Sequence, residues 1–484
     1  MSERQPESFH RPNPQGVLRW ARRALISAVA IERFASGLLS SLLVFQLSER
    51  WGLSESRAAA WVGYFLAASY MTPLLGGLLC DRGLSARGAC VLGCLGIALG
   101  YAALMGDRPL ALLVGSGCLL CGAGLFRPGV QLLLDRLCDA ERVAASDRGS
   151  AEEPTGEPAS QSTRPATPRD EAYTWMHALI NVGGMLAPLA SEGLQRASGW
   201  AAVSTLAVGC MVAAIALIRW GVPQLAERDE TAPLPRLEHP AVAVGESSSE
   251  IMPLPVAAGD SSEALRLPGP LLSFCVALMG FWMVYAQCSS TLLLWVRDSL
   301  DRRLQSWELP VSVFAGLPWA LVVVLTPPVL ALFRALRRQK REPNTLRKLS
   351  LGFVAVALGF AALSLAALVS ASGWLGGTRA HMAWLLLALV AITVGELCVA
   401  PLGPVLLLKV APLRLRGLVM ALWFGTLGFG FIAGGAFAEL WGTLSPPWFF
   451  ALACGFTLLC RAQLHRGFYH SGNLDTLPAR LCHG

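Results

Sequence analysis

The chain has 484 residues, of which 54% are hydrophobic and only 15% are charged, and its mean hydropathy is +0.52. These values are typical of a membrane protein with several spans and exclude an ordinary soluble globular protein. The net charge of +7 comes from basic residues in short loops, which predicts membrane topology and no binding to nucleic acid. The thirteen cysteines have no spacing typical of metal ligands, so we expect no metal and no other cofactor.

Twelve apolar segments are long enough to cross a bilayer as helices, since a hydrocarbon core of roughly 30 Å takes about 20 helical residues. The even number of spans, the basic loops between them and the lack of a cleavable signal peptide predict that both termini are cytoplasmic. The predicted spans are residues 24–47, 57–79, 87–105, 109–133, 173–194, 199–220, 269–296, 309–333, 349–371, 381–409, 417–440 and 446–463.

Two long polar segments interrupt this pattern. Residues 139–170 are rich in Ala, Ser, Glu and Pro, and they cannot bury enough apolar surface to offset the entropy of ordering, which predicts a disordered cytoplasmic loop. Residues 221–268 have a similar composition and divide the spans six and six, the layout of two packed halves with a substrate path between them. The predicted organisation is a cytoplasmic N-terminus (1–23), an N-terminal six-helix bundle (24–220), a cytoplasmic linker (221–268), a C-terminal six-helix bundle (269–463) and a cytoplasmic tail (464–484).

The first span carries an acid and a base side by side, Glu32 and Arg33, in the middle of its apolar run. A charged side chain at the bilayer centre costs about 2.5–3.5 kcal/mol even on a lenient scale, so such residues usually face a cavity or a partner. Neighbours in a helix point about 100° apart, so each of the two needs a partner from another helix. An ion pair that only holds helices together is the alternative to a functional site.

Three more polar residues lie inside predicted spans: Arg127 in the fourth, Asn181 in the fifth and Glu396 in the tenth. In a bundle of two halves they can converge with Glu32 and Arg33 on one water-filled cavity. Two structural alternatives remain open. Asn181 could make a hydrogen bond between helices, and Arg127 could extend to the membrane interface.

The segment from Tyr70 to Arg87 joins the second and third predicted spans and contains Tyr-x-Thr-Pro-x-x-Gly-Gly followed by Asp81-Arg82. The paired glycines allow helices to approach closely, and Asp81, Arg82 and Arg87 predict a cytoplasmic charge cluster that holds one helix end against another. This pattern resembles the loop motif of the major facilitator superfamily. In this variant it is similar to the motif of the proton-dependent oligopeptide transporter (POT) family.

Further motifs extend the resemblance to the POT family over most of the chain, the two long polar segments excepted. They occur in the family's order and on the expected spans. The matching stretches are Glu32-Arg33-Phe34, Gly122-x-Gly-x-x-Arg127-Pro128, His177-x-x-x-Asn181-x-Gly, Phe281-Trp282 with Gln287, Gly395-Glu396-Leu-Cys-x-x-Pro401 and Arg416-Gly417-Leu-x-Met420-x-x-Trp423-Phe424.

This resemblance implies an all-α integral membrane protein with the major facilitator fold, working as a transporter of di- or tripeptides or peptide-like zwitterions by alternating access. It implies that Glu32 pairs with Arg127 and that Arg33 and Arg127 receive the substrate carboxylate. The substrate ammonium would lie at Glu396, and Asn181 would hold the peptide backbone. By the same resemblance, the walls of the pocket would be Tyr70, Trp282 and Trp423, although Trp423 has packing as its alternative role.

The sequence departs from the family where protons would be carried. Val29 and Ala286 stand where the family has acids, His177 replaces a tyrosine, and Arg127 replaces a lysine and stays charged. Proton coupling needs a group whose pKa crosses ambient pH during the cycle. We therefore hypothesise that peptide-type binding persists, while proton coupling is weakened, absent or relocated to Glu396 or His177.

Two other functions remain open. One is transport of another solute, such as an organic anion, nitrate, a metabolite or a drug, and the other is a sensor that keeps the fold without transport. No nucleophile–base set, metal-ligand spacing or phosphate-binding loop is apparent, so we do not expect an enzyme. The expected partners are a small peptide-like substrate, the lipid bilayer and, as an open question, protons. We expect a monomer in the cell membrane.

Overall fold

Long apolar helices form most of the chain in a computed structural model, which describes residues 14–40, 42–106, 108–146, 168–222, 269–372, 379–403, 406 and 416–469. Eleven helices within these residues are long and apolar enough to cross a membrane. Most of the predicted 139–170 loop and nearly all of the 221–268 linker lie outside the described residues, as do the ends of the chain.

The N-terminal half begins with four separate spanning helices. Two short helical turns, Leu43–Phe45 and Gln46–Arg50, extend the first of them. The Ser85 side chain accepts a hydrogen bond of 3.0 Å from the Gly88 N–H and so caps the third helix. The four helices are α1 (Pro14–Ser40), α2 (Glu55–Asp81), α3 (Ala86–Ala103) and α4 (Pro109–Ser146).

One 54-residue helical segment, Pro168–Gly221, contains the fifth and sixth predicted spans. Gly199 interrupts it with φ 77° and ψ 177°, a backbone conformation that favours glycine. We call residues 168–198 α5 and residues 200–221 α6. The candidate span within this segment, Ala178–Gly221, has 44 residues, about twice what one bilayer crossing needs. The eleven candidates are therefore consistent with twelve spans.

The C-terminal half contains six further spanning helices. The first of them is broken by a 3-10 turn at Ala286–Ser289, after which helix resumes at Thr291–Ser299. We call these three pieces together α7. The helices are α7 (Gly269–Tyr285 with its continuation), α8 (Val311–Arg338), α9 (Thr345–Ser372), α10 (Met382–Val399), α11 (Arg416–Ala438) and α12 (Pro446–Tyr469).

Two very short strand pairs lie in the loops of the C-terminal half. Strand β1 (Leu300–Asp301) pairs in parallel with β4 (Ala380–His381), and this contact ties the α7–α8 loop to the α9–α10 loop. Strand β2 (Arg303–Leu304) pairs antiparallel with β3 (Trp307–Glu308) to form a small hairpin.

Helix α4 is longer than predicted. The prediction ended the span at residue 133 and began disorder at 139, but the helix continues to Ser146, so the prediction is wrong for 139–146. Buried Leu134, Leu137 and Cys138 recur at helical spacing, and the Arg22 Nε lies 3.1 Å from the Glu141 Oε1. These contacts hold the extension against the N-terminal half.

The two halves touch each other through glycines. A methyl group at Gly63 of α2 would lie 2.5 Å from the backbone nitrogen of Gly435 of α11. A methyl group at Gly316 of α8 would lie 2.7 Å from the carbonyl oxygen of Met185 of α5. Only glycine permits approaches this close, so at these two points, which we call the glycine seam, the halves meet backbone against backbone.

Three polar contacts also join the halves, and all three lie toward the far end of the bundle, defined as the end opposite the N-terminus of α1. The Tyr64 hydroxyl lies 3.4 Å from a Glu439 carboxylate oxygen, and Arg297 forms an ion pair with Glu55. The backbone N–H of Ser312 in α8 donates a hydrogen bond of 2.8 Å to the Glu192 carboxylate in α5. The halves are therefore closed against each other at the far end.

Candidate functional site

The acid–base pair of α1 is buried, and its two members face different neighbours. Glu32 is only 1% exposed and accepts a hydrogen bond of 2.7 Å from the Ser36 hydroxyl, one turn later on the same helix. Arg33 is half-buried, and its aliphatic stem lies against Gly183 of α5. The Arg33 Nε is buried without a hydrogen-bond partner among the described residues. Among the described residues no ion pair joins Glu32 to Arg33, but the hydrogen-bond partner of Glu32 lies on its own helix and not, as expected, on another.

Arg127 of α4 is held by α2. Its Nη1 donates a hydrogen bond of 2.7 Å to the carbonyl oxygen of Ser69. Pro73, four residues later in α2, has no N–H to offer that carbonyl, so the arginine takes the place of the missing helical hydrogen bond. The Arg127 Nε is also buried without a partner among the described residues. The Thr-Pro motif therefore prepares an acceptor that positions Arg127.

The expected direct pairing of Glu32 with Arg127 is wrong for this structure. No ion pair joins them among the described residues, where Ser36 donates to Glu32 and Ser69 accepts from Arg127. Glu32 and Arg33 nevertheless both lie within electrostatic range of Arg127. The three charged groups thus form one cluster without direct contact.

Glu396 of α10 has a partner that the sequence reasoning did not find. The Tyr285 hydroxyl, at the end of the first piece of α7, donates a hydrogen bond of 2.7 Å to the Glu396 Oε2. Tyr285 follows Trp282 by three residues, and this spacing places both on one face of the helix. That spacing was the available signal, although it does not identify Glu396 as the partner.

An aromatic cluster connects the two halves at the level of these charges. The Tyr70 ring of α2 stacks on the Phe431 ring of α11 with centroids 5.2 Å apart. Trp282 lies 5.9 Å from Phe431, 6.4 Å from Trp423 and 5.4 Å from Tyr285, measured between ring centroids. The structure therefore brings together the three predicted wall residues, and it adds Phe431 and Tyr285.

Opposite charges stand at the two ends of this aromatic cluster. Arg127 is bonded to Ser69, the neighbour of Tyr70, in the N-terminal half, and Glu396 is bonded to Tyr285 in the C-terminal half. Such an arrangement suits a ligand that carries a negative and a positive group at its two ends, since each group would gain a charge-assisted hydrogen bond.

The structure gives less detail for two predicted site residues of α5, Asn181 and His177. Asn181 is 3% exposed and precedes Gly183, which contacts α1, by two residues. It therefore lies close to the Glu32 and Arg33 segment. His177 lies one turn earlier on α5, and its side chain is outside what the structure describes.

Apolar packing occupies both positions where the family's acids are missing. Val29 is 6% exposed and belongs to the hydrophobic core. Ala286 lies so close to Gly434 of α11 that a methyl group there would come within 2.7 Å of the alanine Cβ. The Gln287 Nε2 donates to the Gly434 carbonyl at 2.9 Å. Val29 therefore contributes to the hydrophobic core around α1, and Ala286 to the packing of α7 on α11.

The predicted charge cluster between α2 and α3 is not formed as expected. Asp81 and Arg82 are exposed, whereas Arg87 is buried and donates to the carbonyl of Arg219 near the end of α6. The last carbonyls of a helix lack donors within that helix, which is why this buried guanidinium binds there. Arg87 does hold one helix end against another, but its partner is α6.

The chain is similar to known proteins over most of its length. The sequence description of the POT family matches residues 251–445. The peptide transporter YePEPT of Yersinia enterocolitica is 25% identical over 492 residues, covering 90% of each chain. A dipeptide and tripeptide permease A of Erwinia pyrifoliae is 25% identical over 436 residues, covering 83% of this chain and 82% of the relative.

Solved structures share the fold. A crystal structure of the peptide transporter POT in complex with sulfate has a TM-score of 0.71 at 20% identity and covers 95% of both chains. A POT family transporter in complex with 5-aminolevulinic acid has a TM-score of 0.69 at 17% identity, covering 95% of this chain and 96% of the other. The all-α major facilitator fold is thus confirmed.

Proposed function

This chain is a divergent member of the POT family, and we propose that it transports di- or tripeptides, or zwitterions that resemble them, across the cell membrane by alternating access. The observation that carries the proposal is the placement of fixed opposite charges on opposite halves, at the two ends of one aromatic cluster. Relatives named as peptide transporters and peptide permeases support the substrate class.

In the proposed complex, the substrate carboxylate lies near Arg33 and Arg127, each of which has a buried Nε–H without a partner among the described residues. The substrate ammonium lies at Glu396, whose Oε2 is bonded to Tyr285 and whose Oε1 then serves the ligand. Charge-assisted hydrogen bonds at both ends replace the hydration that the substrate loses. Asn181 holds the peptide backbone, and Tyr70, Trp282 and Trp423 form the walls.

The closed far end supports a specific state of the transport cycle. With the N-terminus in the cytoplasm, as the basic loops predict, closure at the far end corresponds to a transporter that is closed to the outside. Release to the cytoplasm then precedes the opposite motion, in which the glycine seam between α2 and α11 separates. Rocking of two rigid halves about a central site is the general mode of such transporters.

Purified protein in proteoliposomes allows transport and substrate class to be tested in one experiment. We expect uptake of labelled di-alanine. Unlabelled tripeptide should compete with this uptake, and N-acetylated di-alanine should not. Glu396→Gln removes the group that binds the ammonium and should weaken apparent affinity by about 10- to 100-fold. Glu308→Gln removes an exposed acid of the β2–β3 hairpin and is the matched control.

Two outcomes would contradict this function. Thermal stabilisation by peptides without any flux would favour a sensor that retains the fold. Equal competition by N-acetylated peptide or by a simple organic anion would show that the ammonium is not recognised and would favour transport of another solute.

We also propose that proton coupling is weakened, absent or relocated, because Val29 and Ala286 fill the positions of the family's acids with apolar side chains. An imposed inward proton gradient should give no accumulation of di-alanine beyond that seen without it. Accumulation lost in Glu396→Gln or His177→Ala, with exchange of di-alanine without a gradient retained at saturating peptide, would assign a relocated carrier. Accumulation that survives both substitutions would overturn the proposal.

A further inference from the structure

The end of α8 and the loop that follows it carry a dense cluster of positive charge. Between residues 334 and 348 there are seven basic residues and a single acid, in a chain whose net charge is +7. Clusters of four to eight basic residues directly beside a membrane span attract anionic lipid headgroups. The seven are Arg334, Arg337, Arg338, Lys340, Arg341, Arg347 and Lys348.

The single acid, Glu342, is already occupied. It accepts a hydrogen bond of 2.6 Å from the Arg337 Nε and another bond from the Lys348 Nζ, and these two contacts lower the pKa of Glu342 to about 2. Lys348 also lies over the ring of Phe333. The remaining five cations form no ion pair among the described residues: Arg334, Arg338, Lys340, Arg341 and Arg347.

Two of these unpaired cations face one cleft. The cleft has a volume of about 300 Å³ and is lined by Ala331, Arg334, Ala335, Arg338 and Gln339. These residues recur at the spacing of one helix face, so the two small alanines form its floor and the two guanidinium groups stand one turn apart beside it. Guanidinium groups bind phosphate with two parallel hydrogen bonds, which a lysine cannot do.

An exposed apolar stripe leads from this cleft into the span. Val324 is 65% exposed, and Pro328, Ala331 and Ala335 follow it along the same face at helical spacing and are also exposed. An exposed apolar face at this depth suits the acyl chains of a lipid. The arginines therefore stand where the headgroup of a lipid lying along the stripe would be.

We propose that this face of α8 is a binding site for an anionic phospholipid of the adjacent leaflet. The lipid phosphate lies between Arg334 and Arg338, and one acyl chain lies on Ala331 and Ala335 and continues toward Val324. A basic loop that only fixes topology requires cations near the span. It does not require two guanidinium groups without ion pairs among the described residues, one turn apart along the same side of an apolar floor.

The test uses the full chain in a mild detergent and counts bound lipid by native mass spectrometry. The wild type should retain dioleoylphosphatidylglycerol in preference to dioleoylphosphatidylcholine. Arg334→Gln with Arg338→Gln should weaken retention of the anionic lipid by roughly 30-fold, as expected for the loss of charge-assisted hydrogen bonds to the lipid phosphate. Arg341→Gln with Arg347→Gln removes the same charge outside the cleft, and this control should retain the lipid.

A second variant, Ala335→Trp, fills the floor of the cleft and leaves every charge in place. It should also lose the anionic lipid, and thermal unfolding in phosphatidylcholine alone should show that all variants are folded. Equal retention of the two lipids, equal loss in both double variants, or displacement of the lipid by inorganic phosphate would overturn the proposal. None of these measurements depends on transport of peptides.

Discussion

Replacement of Glu192 by alanine should loosen the closure of the far end. The carboxylate of Glu192 in α5 accepts a hydrogen bond of 2.8 Å from the backbone N–H of Ser312 in α8, across the two halves. Ser312 lies in the first helical turn, where N–H groups have no acceptor within their own helix. The carboxylate also lies at the positive end of the α8 dipole.

The size of this effect follows from the contact. A hydrogen bond to a charged group contributes about 1.5–3 kcal/mol. The Glu192 side chain is 12% exposed and shares its charge with Arg196, so the lower part of that range applies. A loss of about 1.5–2 kcal/mol shifts the equilibrium toward separation of the far end by about 10- to 30-fold.

Hydrogen–deuterium exchange measures this directly, because Ser312 supplies the amide in question. In Glu192→Ala, exchange of residues 311–316 should accelerate by about the same 10- to 30-fold factor. Helix α3, which lies within one half, should exchange as in the wild type. Arg196→Gln removes only the exposed partner of Glu192 and should leave residues 311–316 unchanged. Unchanged exchange in Glu192→Ala, or equal acceleration in both variants, would refute the reasoning.

Three other substitutions have defined outcomes. Tyr285→Phe removes the donor to Glu396 and should lower affinity for di-alanine about tenfold, measured by thermal-shift titration. Gly76→Ala places a methyl group 1.9 Å from a carbonyl oxygen of α4 and should destabilise the fold by about 1–3 kcal/mol. The control Gly77→Ala places its methyl group in open space and should leave the stability unchanged. Because its pKa is lowered to about 2, Glu342 stabilises the fold above the ordinary carboxyl value of 4.5 and less as pH falls below it. Glu342→Gln should therefore lower the unfolding temperature at neutral pH, by a margin that shrinks between about pH 5 and 2.

Each of these outcomes can fail in a recognisable way. Unchanged peptide affinity in Tyr285→Phe would show that its hydroxyl does not position the carboxylate of α10. Equal unfolding temperatures for the two glycine variants would show that α2 and α4 are not in backbone contact. A destabilisation by Glu342→Gln that does not vary with pH would show that its ionised form is not the cause.

The spans were predictable because their apolar runs are long, and length alone distinguishes them from other helices. What the runs could not reveal is how helices continue or break at polar positions. Helix α4 persists past residue 139 because Arg22 pairs with Glu141, a contact 119 residues apart in sequence. Gly199 joins two spans almost without a loop, and only its backbone angles show that a break is present.

The polar site contains two kinds of contact. Residue spacing in the sequence predicts contacts within one helix, but it does not predict contacts between helices. The Ser36 to Glu32 bond has the i, i+4 spacing of helix neighbours. The free carbonyl of Ser69 is likewise implied by Pro73. The bond from Tyr285 to α10 depends on how two distant helices face each other, so the sequence alone could not identify it.

The glycine seam has a consequence for the speed of the transport cycle. Gly63 and Gly435 meet with no side chains between them, as do Gly316 and the backbone of Met185. Closing such a surface orders almost no rotamers, whereas closing a surface of long side chains would cost about 0.5–1.5 kcal/mol for each one immobilised. Reclosure of the far end therefore requires little repacking at the glycine contacts, so the side chains of the three polar contacts described above set the entropic barrier in that half of the cycle.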